Sequence, residues 1–247
     1  MQRNPWLALP TKPPYVLPDD WKIIEEVNRK NTKKNLSLQT EMLPEPFIGS
    51  LDAPLVILLQ NPGDGAHEED VALHRQADFH RRVRACHRQE DVPYPHYSVD
   101  PKENGPGGRW WKGQLSELIK DFGHSTVALG VVCLEFVPYH SKNFSHSRLH
   151  LPSQDFTLQA LQRAIGREAT IIIAMGKGRE WIKAVPELAD YRFAFKTNSW
   201  QKAKISPQNC SFASIAYGEK AEPKEGRPTG YEAAQAALGR VAIKQKS

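Results

Sequence analysis

The clearest hydrophobic signal in the chain is the run Leu55 to Leu59, which stops abruptly at the polar pair Gln60-Asn61 and the turn Pro62-Gly63. An unbroken apolar run of strand length bounded by turn residues predicts a buried strand of a parallel sheet. Three more runs of this kind follow, over Val127 to Val137, Thr170 to Met175 and Tyr191 to Lys196. Between them the spacing becomes helical. Phe79, Val83 and Cys86 form a stripe within the charged stretch His67 to Asp91. Leu115, Leu118 and Ile119 continue a helix opened by Arg109-Trp110-Trp111-Lys112 and closed near Gly123, and further helices cover Phe156 to Ile165 and the segment with Trp181 and Ile182. Strands alternating with helices imply right-handed crossovers. The expected fold is α/β: a three-layer α/β/α sandwich around a central, mostly parallel four-stranded sheet.

The ends of the chain read differently. Residues 1 to 18 are proline-rich and aperiodic, and Asp19-Asp20 then precede a short amphipathic helix with apolar Ile23, Ile24 and Val27, so the acidic pair reads as its cap. Residues 1–44 are therefore expected to form an arm and short helix packed on the body, and 45–247 a single domain. A helix over Tyr231 to Ile243 and the basic end Lys244-Gln245-Lys246 finish the chain.

Composition narrows the class. The 247 residues are 25% charged and 40% hydrophobic, as in a globular protein with a sizeable core. No apolar stretch approaches the roughly 18 to 20 residues of a membrane span, and the first residues lack the apolar segment of a secretory signal, so an intracellular, cytoplasmic protein with no membrane partner is expected. Cys86, Cys133 and Cys210 lie far apart and read as buried thiols. His67, His74, His80 and His87 recur about every seven residues, but no carboxylate pattern singles out a metal site among them, and they read as a solvated helix face. No metal and no cofactor are expected. A net charge of +5 is compatible with a polyanionic partner.

In a parallel sheet the residues just past each strand gather along one rim, where such folds bind ligands. The first strand end supplies Gln60, Asn61 and Asp64, and the second supplies Glu135, Tyr139, His140 and Ser141. The third supplies Gly176 and Lys177, and the fourth Asn198, Ser199 and Gln201. Carboxamides, hydroxyls and carboxylates on one rim suit recognition of a flat polar ring, because Asn and Gln carry a donor and an acceptor on one planar group.

Leu59-Gln60-Asn61-Pro62-Gly63-Asp64 resembles two motifs of the uracil-DNA glycosylase superfamily. One is the Gly-Gln-Asp-Pro-Tyr-His motif of its uracil-specific branch, and the other the Gly-x-Asn-Pro-Gly motif of its mismatch-specific and single-strand-selective branches. Gly107-Gly108-Arg109-Trp110-Trp111-Lys112 is similar to the Arg-Phe-Trp-Lys helix start of the mismatch-specific branch, and Thr170 to Lys177 to the strand ending in Trp-Gly-Lys. Asn198-Ser199, or Ser206-Pro207 a few residues on, stands where the family has His-Pro-Ser or Asn-Pro-Ser. The resemblance covers residues 45 to 215 by element order and is strongest at the first motif.

The resemblance implies a uracil-DNA glycosylase-like fold and a base-excision activity on damaged or single-stranded DNA by a monomer, hydrolysing the N-glycosidic bond of a flipped base. Asn61 would orient the attacking water, with Asp64 and Asn198 as the other catalytic candidates. Gln60, Glu135, Ser199 and an aromatic from the 92–108 loop, Tyr94 or Tyr97, would hold the base. Ser141, Lys177, Gln201 and Ser206 would contact the DNA backbone.

Two departures bear on the substrate. Leu59 replaces the leading glycine, and Glu135 stands near the asparagine that reads the uracil edge. An ionised Glu only accepts hydrogen bonds, so it would favour a ring presenting N–H groups and disfavour a second carbonyl. A deaminated purine or another modified base therefore fits as well as uracil.

Other readings of the same residues stay open. Trp110 and Trp111 would serve as core anchors, and Glu135 as a structural carboxylate paired with an Arg or Lys. Gly176-Lys177-Gly178 lacks the rest of a phosphate-loop signature, and no nucleophile elbow accompanies His140 and Ser141. A non-catalytic base- or DNA-binding protein of the same fold, and a small-molecule hydrolase using Glu135 or Asp64 as base, are the alternatives.

Overall fold

A computed structural model describes residues 3–31, 34–176 and 178–246. The sheet has five strands, β1 (Phe47–Ile48), β2 (Leu55–Leu59), β3 (Val131–Glu135), β4 (Thr170–Ile173) and β5 (Ala194–Lys196), in the order β1-β3-β2-β4-β5. The last four are mutually parallel, with Leu59 opposite Glu135 and Leu58 opposite Ile173. The strand the sequence did not announce is β1, a two-residue antiparallel edge on β3. Two residues are too few to display a period of two, so the expected four strands become five.

The helices are α1 (Trp21–Lys30), α2 (His67–His74), α3 (Ala77–Arg88), α4 (Pro106–Gln114), α5 (Ser116–Gly130), α6 (Gln154–Gly166), α7 (Arg179–Ala184) and α8 (Gly230–Lys246). From β2 the chain steps to one neighbour, β3, and then back across β2 to β4. With right-handed crossovers this reversal sets the connecting helices on opposite faces. On one of these faces α8 packs on α5 and against β2, β4 and β5.

Two boundaries move for packing reasons. The apolar run Val127 to Val137 is too long for one strand, and its first four residues close α5 as buried helix after a break at Gly123 (φ 78°). The stretch 67–91 divides into α2 and α3, and its histidines do not share a solvated face. His67 is exposed, whereas His74 and His87 are buried. His87 packs between Trp6 and Phe47 with Nε2 2.9 Å from the Pro44 carbonyl, and burial pushes it down to about 3.

The N-terminal arm belongs to the same hydrophobic core as the sheet, through Trp6, Leu9, Tyr15, Val16 and Leu17. Asp20 holds it there. The residue occupies the N-cap position of α1 with helical φ/ψ, so its carboxylate turns inward and makes no cap. It accepts instead from the Tyr139 hydroxyl (2.8 Å) and the Ser153 amide (3.1 Å), and the Tyr139 oxygen in turn accepts from the Leu17 amide (3.2 Å). All three cysteines are buried and free, as expected, and burial pushes the Cys86 thiol up to about 12 and Cys210 up to about 11. Among the described residues no helix is long and apolar enough to cross a membrane.

Candidate functional site

The carboxyl ends of β2 and β3 open into a pocket of about 580 Å³, a size suited to a small-molecule group. Its wall combines the loop after β2, residues 60–66, with Glu135, the loop 140–144, Glu45, α2 and the start of α4. This is the rim on which the polar strand ends were expected to converge.

The two loops are stitched together by hydrogen bonds that spend specific atoms. Asn61 Nδ2 donates to the Pro62 carbonyl (2.8 Å), the Ser141 carbonyl (3.1 Å) and Ser141 Oγ (3.0 Å). The Ser141 amide returns a bond to the Pro62 carbonyl at 3.2 Å, and its hydroxyl donates to the Asn143 carbonyl at 2.9 Å. With Nδ2 committed, no described hydrogen bond uses Asn61 Oδ1, which leaves the carboxamide oriented with a free acceptor. Asp64 is buried three residues on, its Oδ1 2.8 Å from Nδ1 of exposed His67. Gln60 turns the other way, donating to Glu180 Oε1 (3.1 Å), while α7 fixes the end of β2 through Trp181 Nε1 on the Leu59 carbonyl (2.8 Å).

Behind the loops lies a buried polar cluster. Glu45 accepts from the Tyr97 hydroxyl at 2.5 Å and faces His140 Nε2 at 3.7 Å. His140 also points Nδ1 at the Gly63 carbonyl (2.9 Å) and Nε2 at the Leu43 carbonyl (3.1 Å), and both of those oxygens can only accept. His74 stacks edge-on to His140, and its Nδ1 accepts from the Leu43 amide at 3.1 Å. Burial, with His140 beside it, holds His74 well below the usual histidine range and so neutral. Glu45, His74 and His140 each offer one ligand atom, all within 4.8 Å of one another, a spacing a metal ion could span. As arranged, these atoms serve the backbone and each other.

Glu135 stands apart from this network. It is 3% exposed, its Oε1 is 3.6 Å from the Cys133 thiol, and its Oε2 is buried without a hydrogen-bond partner. No described Arg or Lys pairs with it, which removes the structural ion pair the sequence allowed. Burial and the nearby Glu45 carboxylate push its carboxyl well above the usual range, so the neutral acid is the favoured form.

The remaining predicted site residues are dispersed. Tyr97 is buried with its ring edge-on to Phe79 and its hydroxyl on Glu45, so it has no face to offer a base. Tyr94 is half-buried against the core, outside the pocket. Phe79, Trp110, Trp111 and Phe144 line the pocket, and of these Trp110 is the exposed one, at 39%, set edge-on to buried Trp111, so the tandem pair divides between surface and core.

Asn198, Ser199, Gln201 and Ser206 do not line the pocket. They follow β5, which lies two strands from β2, about 10 Å across the sheet. There Asn198 donates to the Gln208 carbonyl and to Ser211 Oγ, each at 2.8 Å. Asn209 joins the two rival segments: its carbonyl and side chain accept from the Asn198 and Ser199 amides, and its own amide donates to the Ser206 carbonyl. Asn198-Ser199 and Ser206-Pro207 thus form one unit. Lys177 lies outside the described residues. Ser141 is buried and committed to Asn61 and Asn143, so it is an internal brace with no hydroxyl left for a phosphate.

The sequence did not single out Glu45 or Phe144, and it set His74 on a solvated helix face. Glu45 had a signal, a lone carboxylate between two prolines just before an apolar pair. Nothing local marks Phe144. No protein-family model, curated protein or solved structure matches this chain.

Proposed function

We propose that this chain is a DNA base glycosylase of the uracil-DNA glycosylase type, hydrolysing the N-glycosidic bond of a deaminated or otherwise modified base. The observation that carries the reading is the state of Asn61, a carboxamide clamped through its nitrogen on Ser141 with its oxygen left as an acceptor at the pocket. Hydrolysis needs a water held below the sugar carbon and relief of the positive charge that develops there as the base departs. Asn61 Oδ1 would hold the water, and the buried Asp64 carboxylate would supply the negative charge that an amide lacks. Trp110 at the pocket is the group to stack on the flipped base or fill its place in the helix. Exposed Lys142, on the pocket wall and in no described ion pair, suits a phosphate.

The test is incubation of excess protein with oligonucleotides carrying uracil, hypoxanthine or xanthine, in single strands and mismatched duplexes, followed by alkali. Strand scission at the modified position is expected for at least one of them. Tight, salt-sensitive binding with no scission anywhere would instead assign the fold to a binding protein.

A further inference from the structure

We infer that Glu135 is the proton donor of this pocket: its Oε2 carries a hydrogen and offers it to a carbonyl oxygen or ring nitrogen on the edge of the bound base. Four observations converge on this residue. It lines the pocket from the end of the strand beside Asn61, and its Oε2 is a buried polar atom with no partner in the protein. The thiol of Cys133 lies against Oε1, so that oxygen takes the acceptor role and Oε2 is the one to bear hydrogen. No cation accompanies the group among the described ion pairs, and burial without a partner beside Glu45 disfavours the ionised carboxylate. A protonated carboxyl carries no such charge and leaves one donor in want of an acceptor. The ligand supplies it.

The substrate class follows. Deamination replaces an amino group on a base by a carbonyl, turning a donor into an acceptor at that edge. A neutral Glu135 favours the carbonyl, and its role is the opposite of the one an ionised side chain would play. The chemical step rests on the base-excision reading above. As the C1′–N bond breaks, its electron pair moves into the base, the Oε2 hydrogen passes to the base acceptor, and Glu135 is left as carboxylate. Water forms the new C1′–O bond, and its released proton returns through solvent to restore the acid.

Two variants and one spectrum separate the possibilities. Glu135→Gln keeps a donor of nearly the same shape without a transferable proton, whereas Glu135→Ala removes the donor. For an oligonucleotide carrying the non-cleavable 2′-fluoro-2′-deoxyuridine, E135Q is expected to bind like the wild type and E135A about tenfold more weakly. On the cleavable counterpart E135Q is expected to react about 100-fold more slowly in single turnover. Infrared difference spectra of wild type minus E135Q at neutral pH read the proton without any ligand, and a protonated-carboxyl C=O band is expected. Absence of that band, or E135A binding as tightly as wild type, overturns the assignment. E135Q cleaving at the wild-type rate overturns the transfer step. If the wild type cleaves nothing while the band is present and E135A alone loses affinity, the excision reading falls and the donor assignment stands.

Discussion

At the scale of single residues, environment decides what each polar group can do. Glu135 and Glu45 are both carboxyls behind one pocket, yet Glu45 has a tyrosine hydroxyl and a histidine against it, and Glu135 Oε2 has nothing. The raised Glu135 carboxyl has a consequence for folding that requires no substrate. Its ordinary value is 4.5, and the folded protein binds its proton to higher pH than the unfolded chain does. Its contribution to stability is therefore fully present below pH 4.5 and is lost as pH rises through the folded value. Urea unfolding at a series of pH values should show wild type losing stability relative to E135Q as pH rises above that point. Parallel pH profiles for the two proteins would place Glu135 in an environment that does not distinguish its charge states. The residue types at the site were readable in advance, but the upward shift of the Glu135 carboxyl was not, because it comes from burial in the folded body and then from Glu45, 90 positions away in the chain.

Elements set the positions of these groups, and here backbone geometry outweighs local propensity. Gly176, just past β4, has φ +67°, and a Cβ there would meet Gln60 Nε2 at 2.6 Å. Gly176→Ala should cost about 1 to 2 kcal/mol through the left-handed backbone and that contact. Adding Gln60→Ala should recover part of the loss, as a double-mutant cycle in urea would measure. A Gly176→Ala protein as stable as wild type would contradict the packing described. The long apolar runs predicted β2 and β4 well because strands buried on both faces have no alternation to misread. Element boundaries were harder to place. The residues Val127 to Gly130 are as apolar as β3 itself, and only their packing on α8 makes them helix. β1 exists because β3 offers an open edge, a property of the sheet and not of Phe47-Ile48.

For the whole molecule, the reversal of strand order at β2 determines where a ligand can sit. The chain leaves β2 toward β3 and returns across it to β4, so the crevice opens at the carboxyl end of β2. The motif that opens there, Gln60-Asn61-Pro62-Gly63, was legible from sequence as a strand exit carrying polar side chains. That the loop after β3 would clamp it was legible only in outline, since Ser141 was expected to face DNA and instead braces Asn61. The β5 end was expected at the same pocket, and its distance reflects strand order, which local sequence patterns do not encode. The arm, with Trp6 and Asp20 buried in the common core, shares the stability of the body that presents the site.

Whether the Asn61 carboxamide at this pocket orients the water of a base-excision reaction is measured by the single-turnover rate of Asn61→Ala on whichever modified oligonucleotide the wild type cleaves. A loss of about 100-fold or more is expected, with DNA affinity retained. Cleavage by Asn61→Ala at the wild-type rate would contradict that role.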